Sequence, residues 1–412
     1  MNKTLSNIFK GDKVVWMVFF FLCMISIVEV FSASSGLTYK SGSYWAPVLK
    51  HVGLLSVGLF MMVLVLNIPC KYFKIVTPFL MPAALVMLLV AMLVGVSTNG
   101  AQRWISILGI QFQPSEIAKG GVVLTVAQIL GAMQTETGAA RKTFRYILWI
   151  SIPYIALIFR ENFSTAALLA FVVVCMMFIG RVSLKQIGKL LGVVTILGVL
   201  FVASIMLLGT DRNRENTRGN VTERVEQQQE ASSHGGILTR LDTWKSRIMK
   251  FMDKREVPPE DFDLDKDAQI AHSNIAIVSS NVVGVGPGNS VERDFLSQAF
   301  SDFIYAIIIE ELGIAGAAFV AMLYIILLFR VRRIANRCEN NFPAFLVMGL
   351  ALLLVSQALF NMLVAVGLAP VTGQPLPLIS KGGTSTIINC IYIGVILSVS
   401  RSAKKKDMSD AE

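Results

Sequence analysis

The sequence predicts an all-α integral membrane protein with about ten transmembrane helices and one long extracytoplasmic loop. Charged residues make up only 16% of the 412-residue chain and hydrophobic residues 54%, whereas soluble domains carry about 25% charged residues. Apolar stretches of about 20 residues, the length that crosses a bilayer as a helix, recur along the chain. Lysine and arginine cluster between alternate stretches. Together these observations exclude a soluble protein.

Ten apolar stretches qualify as spans, and the fifth and sixth are close enough to form one hairpin. The first resembles a signal peptide, but it is longer than a usual signal h-region, so we interpret it as the first membrane anchor. The stretches are residues 14–32, 47–67, 75–96, 114–133, 144–160, 163–180, 187–208, 303–329, 344–367 and 384–400. They divide the chain into seven helices within residues 1–208, an extracytoplasmic loop at 209–302, three helices at 303–400 and a cytoplasmic tail at 401–412.

Lysine and arginine in the short loops predict the orientation of the chain. If the amino terminus is cytoplasmic, the cytoplasmic segments hold 19 of these cations, whereas the short outer loops and outer helix ends hold six. Cytoplasmic loops of membrane proteins carry an excess of lysine and arginine, so both termini are predicted to be cytoplasmic. The formal net charge of +10 is therefore explained by topology and does not indicate nucleic-acid binding.

The long loop begins with a polar stretch and continues with apolar residues spaced three and four apart, which predicts an amphipathic helix. Cationic side chains accompany these residues, so the helix either lies on an anionic membrane surface or packs on the outer ends of the spans. The apolar residues are Ile237, Leu241, Trp244, Ile248 and Phe251. The five cysteines lie outside this loop, and with the three histidines they form no zinc-ligand pattern.

Charged residues within or beside spans are candidates for function, because they are costly in hydrocarbon. In "NGAQRWISILGIQFQPSEIAKGG", Ser115 is placed to cap a helix, and Glu116 and Lys119 are three apart on one face of it. The two side chains alone form a self-neutralising pair. Arg103 in the preceding loop makes this region net cationic, as a site for a phosphate-bearing lipid head group would be.

A second set of candidates begins the eighth apolar stretch. Asp302, preceded by Ser301, stands at the start of the stretch, and Glu310 and Glu311 lie about two turns further along. Asp302 suits either a helix N-cap, where aspartate is favoured, or a catalytic carboxylate. We interpret Glu310 and Glu311 as structural or cavity-lining residues.

A third set lies in "APVTGQPLPLISKGGTS", residues 369–385, which includes Ser380 and Lys381. Three prolines and a pair of glycines at membrane depth predict a re-entrant segment that lines a polar cavity. The alternative is an ordinary outer loop. Lys381 adds a further cation on the outer side.

Together these three sets resemble the FtsW/RodA family of integral membrane peptidoglycan glycosyltransferases, over nearly all ten spans. The motifs N-G-A-x-R-W, Q-P-S-E-x-x-K, D-F-I, E-E-L-G and L-P-x-x-S-x-G-G-x-S of that family occur here in the same order. Within the family, "GVGPGNS" resembles the cell-division branch more than the elongation branch. The residues carried over on this basis are Arg103, Glu116, Lys119 and Asp302.

The chain departs from the family pattern at several positions. Asn162 stands where the family has an aspartate, Phe300 where it has a histidine, and Lys381 where it has a tyrosine. The family pattern Q-x-x-Q-S of the long loop appears here as Gln269, His272 and Ser273, with a histidine where the family has its second glutamine. The role of a carboxylate at position 162 is therefore in doubt.

The resemblance implies polymerisation of lipid II, a disaccharide-pentapeptide on a polyprenyl pyrophosphate, at the outer face of a bacterial inner membrane during septal cell-wall synthesis. Asp302 would be the general base for the incoming sugar hydroxyl, and cations, aided by a divalent ion such as Mg²⁺ or Mn²⁺, would neutralise the leaving pyrophosphate. The implied partners are a class B penicillin-binding protein, which is a transpeptidase, and other divisome membrane proteins. The predicted substrate-binding residues are Arg103, Glu116, Lys119, Gln269, Ser273, Ser301, Ser380 and Lys381.

Three other functions remain compatible with the sequence. A lipid II flippase or other transporter of the lipid-linked precursor would also need many spans with intramembrane charges. An elongation-type polymerase would share the motifs. A scaffold that only recruits partners would not need the carboxylate of Asp302.

The predicted orientation can be tested with single cysteines introduced into a cysteine-free variant. A cysteine at Ser233 should react with a membrane-impermeant thiol reagent added to intact cells, and a cysteine at Lys405 should react only after lysis. The opposite labelling would reverse the topology and place Asp302 on the cytoplasmic side.

Overall fold

The computed structural model describes residues 10–41, 45–94, 96–98, 101–107, 110–208, 264–296 and 301–403. Among these residues, each of the ten predicted spans is an α-helix, and an eleventh α-helix precedes the eighth span. The predicted amphipathic helix of residues 237–251 lies outside the described residues. The helices are α1 Lys13–Ser41, α2 Ala46–Asn67, α3 Phe73–Val94, α4 Pro114–Ala132, α5 Thr143–Glu161, α6 Phe163–Ile179, α7 Leu184–Leu208, α8 Leu264–Ser279, α9 Ile304–Asn336, α10 Asn341–Ala365 and α11 Thr384–Ala403.

Among the described residues, eight helices are long and apolar enough to cross a membrane: α1, α2, α3, α5, α7, α9, α10 and α11. The apolar helix α6 is shorter, with 17 residues. Helix α4 lies inside the bundle, with 14 of its 19 residues buried, and packs against α3, α5, α6 and α10. The prediction of an all-α, multi-pass membrane protein is confirmed.

Short β-strands connect α3 to α4, where the sequence was predicted to form a loop. Strands β1 (Val96–Thr98), β2 (Ala101–Ile107) and β3 (Ile110–Phe112) form an antiparallel sheet in the order β1-β2-β3. Thr98 pairs with Ala101, and Asn-Gly, the sequence between them, favours two-residue hairpin turns. Arg103 therefore belongs to β2 and not to a loop. A second hairpin pairs β4 (Gln134–Thr135) with β5 (Gly138–Ala139).

Helix α9 is broken at Gly313, whose backbone is non-helical with φ 71° and ψ −177°. Residues 304–312 thus form a short half-helix that is almost entirely buried. A Cβ at Gly313 would lie 2.3 Å from Val282 O, and a Cβ at Gly284 would lie 2.4 Å from Glu311 O. Only glycine permits this close approach of the two backbones, and both positions have a positive φ.

Residues 281–286, which precede α9 in the chain, lie beside the break at Gly313. Their backbone groups form hydrogen bonds with backbone groups of α9 on both sides of the break. The bonds are Val285 N to Glu310 O at 3.0 Å, Gly286 N to Glu311 O at 2.9 Å, Ile314 N to Asn281 O at 3.3 Å and Ala315 N to Val282 O at 3.2 Å. A broken helix inside a membrane protein must have such partners, because hydrocarbon supplies none. Residues 281–286, which we call the strap, therefore hold the half-helix in place.

We expect Gly284→Ala to destabilise the protein by at least about 1–3 kcal/mol, the cost of a strained backbone position, because the added Cβ overlaps Glu311 O. Thermal unfolding of the detergent-solubilised protein measures this change. Gly192→Ala in α7 is the matched control, because a Cβ there meets nothing within 4 Å. If the two variants unfold at the same temperature, the interlocked strap is contradicted.

Candidate functional site

An irregular segment, residues 366–383, connects α10 to α11 and enters the helical bundle. We call it the closing segment. Gln374 and the run Leu376–Ser380 are buried, and Leu378 has a positive φ of 68°. A non-glycine residue with positive φ is strained, and such strain clusters at functional sites. The segment is therefore a buried re-entrant element, as predicted, and not an ordinary outer loop.

Side chains of the surrounding helices hydrogen-bond the backbone carbonyls of the closing segment. Irregular backbone is tolerated at membrane depth only where protein or water satisfies its polar groups, and here three helices do so. The bonds are Asn361 Nδ2 to Gln374 O at 2.7 Å, Gln357 Nε2 to Pro375 O at 3.0 Å, Tyr324 OH to Pro377 O, and Ser26 Oγ to Ile379 O at 2.6 Å. The donors come from α10, α9 and α1, so these three helices together hold the backbone of the closing segment in place.

Asp302 lies directly before the half-helix, beside the closing segment. The N-cap residue of α9 is Phe303, whose side chain makes no cap, so Asp302 is not the N-cap residue but directly precedes it. Ser301 Oγ donates to Asp302 Oδ1 at 3.0 Å. A Cβ on Gly373 would lie 3.4 Å from Asp302 Oδ2, so the closing segment passes beside the partly exposed carboxylate.

Two side chains fix the backbone on either side of this carboxylate. Asn361 Nδ2 donates to Asp302 O at 2.8 Å as well as to Gln374 O. Ser380 Oγ donates to Ser301 O at 2.6 Å. Asp302 is therefore positioned by α10 and by the closing segment together, and the predicted residues Ser301 and Ser380 lie beside it.

The predicted pair of Glu116 and Lys119 is formed inside the bundle. Lys119 Nζ lies 2.8 Å from Glu116 Oε1, with side chains that are 0% and 3% exposed. Lys119 also donates to Gln357 Oε1 at 2.8 Å, and Gln357 in turn donates to Pro375 O. The ion pair is thereby connected to the closing segment through a single amide.

The prediction that Ser115 caps α4 is wrong. The N-cap is Gln113, and Pro114 occupies the first turn, as proline does at helix starts because its missing N–H has no partner there in any case. Ser115 lies inside the helix and is buried.

Asn162, at the position where the family has an aspartate, is the N-cap of α6. Its Oδ1 accepts hydrogen bonds from Ser164 N at 3.1 Å and Thr165 N at 3.3 Å. In the same helix turn, Thr165 Oγ1 accepts from Gln374 Nε2 at 2.5 Å. Asparagine and aspartate cap helices equally well, so the substitution keeps the cap and removes a charge. The start of α6 is one more support of the closing segment.

The remaining predicted site residues belong to other elements of the fold. Ser273 in α8 is buried and donates to Ala365 O at 2.8 Å, so it binds the last residue of α10, where the closing segment begins. Gln269 lies in the same helix, and Arg103 lies in β2. Lys381 follows Ser380 directly. Burial, and secondly the charge of nearby Lys50, lower the pKa of Lys381 from the usual lysine value.

Glu310 and Glu311 do not join Asp302. Glu310 accepts hydrogen bonds from Ser290 Oγ at 2.5 Å and Val291 N at 2.9 Å. Glu311 accepts from Ser32 Oγ and from Ser290 N. We predicted that both glutamates are structural or line a cavity, and these contacts favour the structural interpretation. They join "EELG" and "GVGPGNS" into one hydrogen-bonded unit at the end of the half-helix.

Sequence reasoning missed the amides that assemble the site. Gln357 and Asn361 are four residues apart in the ninth apolar stretch and therefore share one helix face. They contact the closing segment, Lys119 and Asp302. A search of the spans for neutral polar residues, in addition to ionisable ones, would have found them.

The sequence profile of a family described as "Cell cycle protein", comprising FtsW, RodA and SpoVE, matches residues 12–405. Among curated relatives, a probable peptidoglycan glycosyltransferase FtsW of Coxiella burnetii is 29% identical over 396 residues, which cover 93% of this chain and 95% of the relative. The peptidoglycan glycosyltransferase MrdB of Escherichia coli K12 is 27% identical over 352 residues, which cover 85% of this chain and 84% of the relative.

Solved structures show the same fold. A chain from a peptidoglycan synthase complex, described as coordinating polymerization and crosslinking, superposes with a TM-score of 0.69 at 21% identity, covering 95% of this chain and 98% of that one. The rod shape determining protein RodA of Thermus thermophilus superposes with a TM-score of 0.63 at 20% identity, covering 96% of this chain and 98% of that one.

We expect Asn162→Ala to cost about 1 kcal/mol of stability, because it removes the side-chain cap of α6, whereas Asn162→Asp should retain the cap. Thermal unfolding of the two variants beside the unsubstituted protein measures this difference. Equal unfolding temperatures for the alanine and aspartate variants would show that the cap contributes nothing.

Proposed function

The chain belongs to the FtsW/RodA/SpoVE family of cell cycle proteins, and on this premise we propose that it is a peptidoglycan glycosyltransferase that polymerises lipid II into glycan strands. Relatives with this activity in their names match it over 84% or more of their own length. The observation that carries the proposal is the carboxylate of Asp302, held beside a buried re-entrant segment. A membrane-embedded carboxylate in such a position needs a function.

Asp302 serves as the general base. The incoming sugar 4-hydroxyl must lose a proton as it attacks, and a carboxylate within hydrogen-bonding reach can accept that proton. The backbone of Asp302 is held by Asn361, and the preceding carbonyl by Ser380. Both contacts act on the main chain, so they restrict the position of the carboxylate, and such preorganisation favours the reaction.

The leaving group is the pyrophosphate that joins the sugar to the lipid. It departs without a general acid if its negative charge is neutralised, so cations are required. Arg103 and Lys381 serve this role, and Lys50 adds positive charge near Lys381. Lys119 contributes only if the bond to Gln357 is exchanged for one to phosphate, because its ammonium is buried against Glu116.

A divalent cation such as Mg²⁺ or Mn²⁺ would bind together with the substrate. The described residues contain no group of three or more metal-ligating side chains, but Mg²⁺ is commonly held by one or two carboxylates plus substrate phosphates. Asp302 is the carboxylate placed to contribute to such a shared site. The ion would neutralise charge on the pyrophosphate.

The protein acts in septal synthesis, with both termini in the cytoplasm. Two observations support this assignment. The sequence "GVGPGNS", which begins within the strap, resembles that of the cell-division branch, and a relative named FtsW aligns over 95% of its length. The charge distribution of the short loops supports the orientation. With this orientation, Asp302 lies on the outer side, where lipid II is presented.

The partner is a class B penicillin-binding protein, a transpeptidase that crosslinks the new strands. The chain resembles, with a TM-score of 0.69, a subunit of a complex that couples polymerization to crosslinking. Exposed apolar faces for a partner span exist on α7, which packs little against the bundle: 6% of its span is buried. Other divisome membrane proteins would contact the same assembly.

We expect Asp302→Asn to lower the rate of lipid II polymerisation by about 100-fold or more, the usual range for loss of a general base. Asparagine is nearly isosteric but has no basicity at neutral pH. Polymerisation of purified lipid II by purified protein, with and without the transpeptidase partner, measures the rate.

Asp294→Asn is the matched control, because that side chain is 51% exposed and lies outside the site. Binding of lipid II should persist in both variants. A wild-type polymerisation rate in Asp302→Asn would defeat the catalytic assignment. If polymerisation is absent from the unsubstituted protein but lipid II crosses liposome membranes, the protein is a flippase.

We expect Arg103→Ala and Lys119→Ala each to reduce polymer yield strongly while membrane insertion stays normal. Each charge-assisted contact to phosphate contributes about 1.5–3 kcal/mol. Lys185→Ala, at the exposed start of α7, is the control. If Arg103→Ala keeps full activity, Arg103 has no phosphate role; if Lys119→Ala loses thermal stability as well as activity, its pair with Glu116 is structural.

A further inference from the structure

The hydrogen bond from Ser26 to Ile379 O differs from the other bonds that hold the closing segment. Gln357, Asn361 and Tyr324 reach the segment with long side chains whose donors point away from their own helices. Ser26 has a hydroxyl that rotates freely, and it is completely buried in α1. The partners of this hydroxyl therefore decide where its hydrogen points.

In the described helices, some hydroxyls bond to another element, as Ser273 does, and several others bond to the carbonyl one turn earlier in the same helix. Such bonds compete with contacts to other elements. They are Ser56 to Val52 O, Thr77 to Phe73 O, Thr125 to Gly121 O, Thr195 to Leu191 O and Ser204 to Leu200 O, at 2.8–3.2 Å. Ser26 instead donates to a carbonyl 353 residues away in sequence.

His51 of α2 also contacts this hydroxyl. Its Nε2 lies 2.7 Å from Ser26 Oγ, and its side chain is buried. A hydroxyl has a single hydrogen. Because Ile379 O can only accept, the hydrogen of Ser26 points to Ile379, and Ser26 must accept from His51. The ring is therefore protonated on Nε2, and this tautomer directs the hydroxyl toward the closing segment.

We infer that His51 is a positioning residue: through Ser26 it holds Ile379 of the closing segment, and thereby the adjoining Ser380 and Lys381, in the arrangement that places Asp302. Ser380 donates to Ser301 O at 2.6 Å, one peptide before Asp302. Lys381 follows Ser380 directly in the chain. This inference rests on the proposed function for its effect on rate but not for its geometry.

Polymerisation rates of four variants test the inference. His51→Phe and Ser26→Ala should each lower the rate about five- to tenfold, the effect of one buried hydrogen bond. His51→Gln should stay within about twofold of the unsubstituted protein, because its amide N–H can replace Nε2–H. The double variant His51→Phe with Ser26→Ala should be no slower than Ser26→Ala alone, because both changes interrupt the same chain of hydrogen bonds from His51 through Ser26 to Ile379.

Ser56→Ala is the matched control, since its hydroxyl bonds only within α2, and it should retain the full rate. Multiplicative losses in the double variant, or His51→Gln as slow as His51→Phe, would overturn the inference. Thermal unfolding of each variant accompanies the rates. If His51→Phe does not fold, Ser26→Ala and His51→Gln still decide the question.

A second measurement needs no enzymatic activity. The chain has three histidines, so ¹⁵N-histidine-labelled protein in lipid bilayers gives few imidazole signals in solid-state NMR, and His51→Gln identifies the one from His51. We expect a proton on Nε2, and a ring protonated on Nδ1 alone would contradict the hydrogen bond from His51 to Ser26. If the protein polymerises no lipid II but the Nε2–H tautomer is found, the proposed function fails and the geometry stands.

Discussion

The arrangement of the site depends on one constraint: backbone carbonyls buried at membrane depth must be hydrogen-bonded by the protein, because hydrocarbon offers no donors. The closing segment carries such carbonyls without a helix to satisfy them. Amides of α10, a tyrosine of α9 and a serine of α1 supply the donors. The polar residues inside these spans are therefore explained by the segment. Because they come from separate helices, they also fix how those helices pack around it.

The position of Asp302 is fixed by this constraint and by a second one at the opposite end of the half-helix. The contacts of Asn361 and Ser380 hold the chain at its start, and the strap holds its end at Gly313. Glu310 and Glu311, which are costly at a helix carboxyl end, are compensated by hydroxyl and backbone N–H donors. The half-helix is thus held at both ends, and the carboxylate before it has little freedom to move.

The charges of the site are divided between two environments. Lys119 is neutralised inside the bundle by Glu116, and its remaining bond goes to Gln357, which supports the closing segment. Lys381 lies at the edge of the segment, beside another cation. The buried pair therefore supports the geometry of the site, whereas Lys381 is one of the cations that we propose to neutralise the pyrophosphate.

The sequence by itself determined the membrane class, the positions of the spans, the Glu116–Lys119 pair and the candidate residues, because apolar length and intramembrane charge are local properties of the chain. It also indicated the re-entrant segment, through its prolines and glycines. It did not determine that Asp302 lies one residue before the helix cap, that Arg103 belongs to a strand, or that Asn162 caps α6. Only the tertiary structure decided which donors meet which carbonyls. Nothing in the sequence marks four residues that support the site: Ser26, His51, Gln357 and Asn361. The partners of such residues lie up to 353 positions away, and hydrogen bonds at such separations leave no periodicity or spacing in the chain.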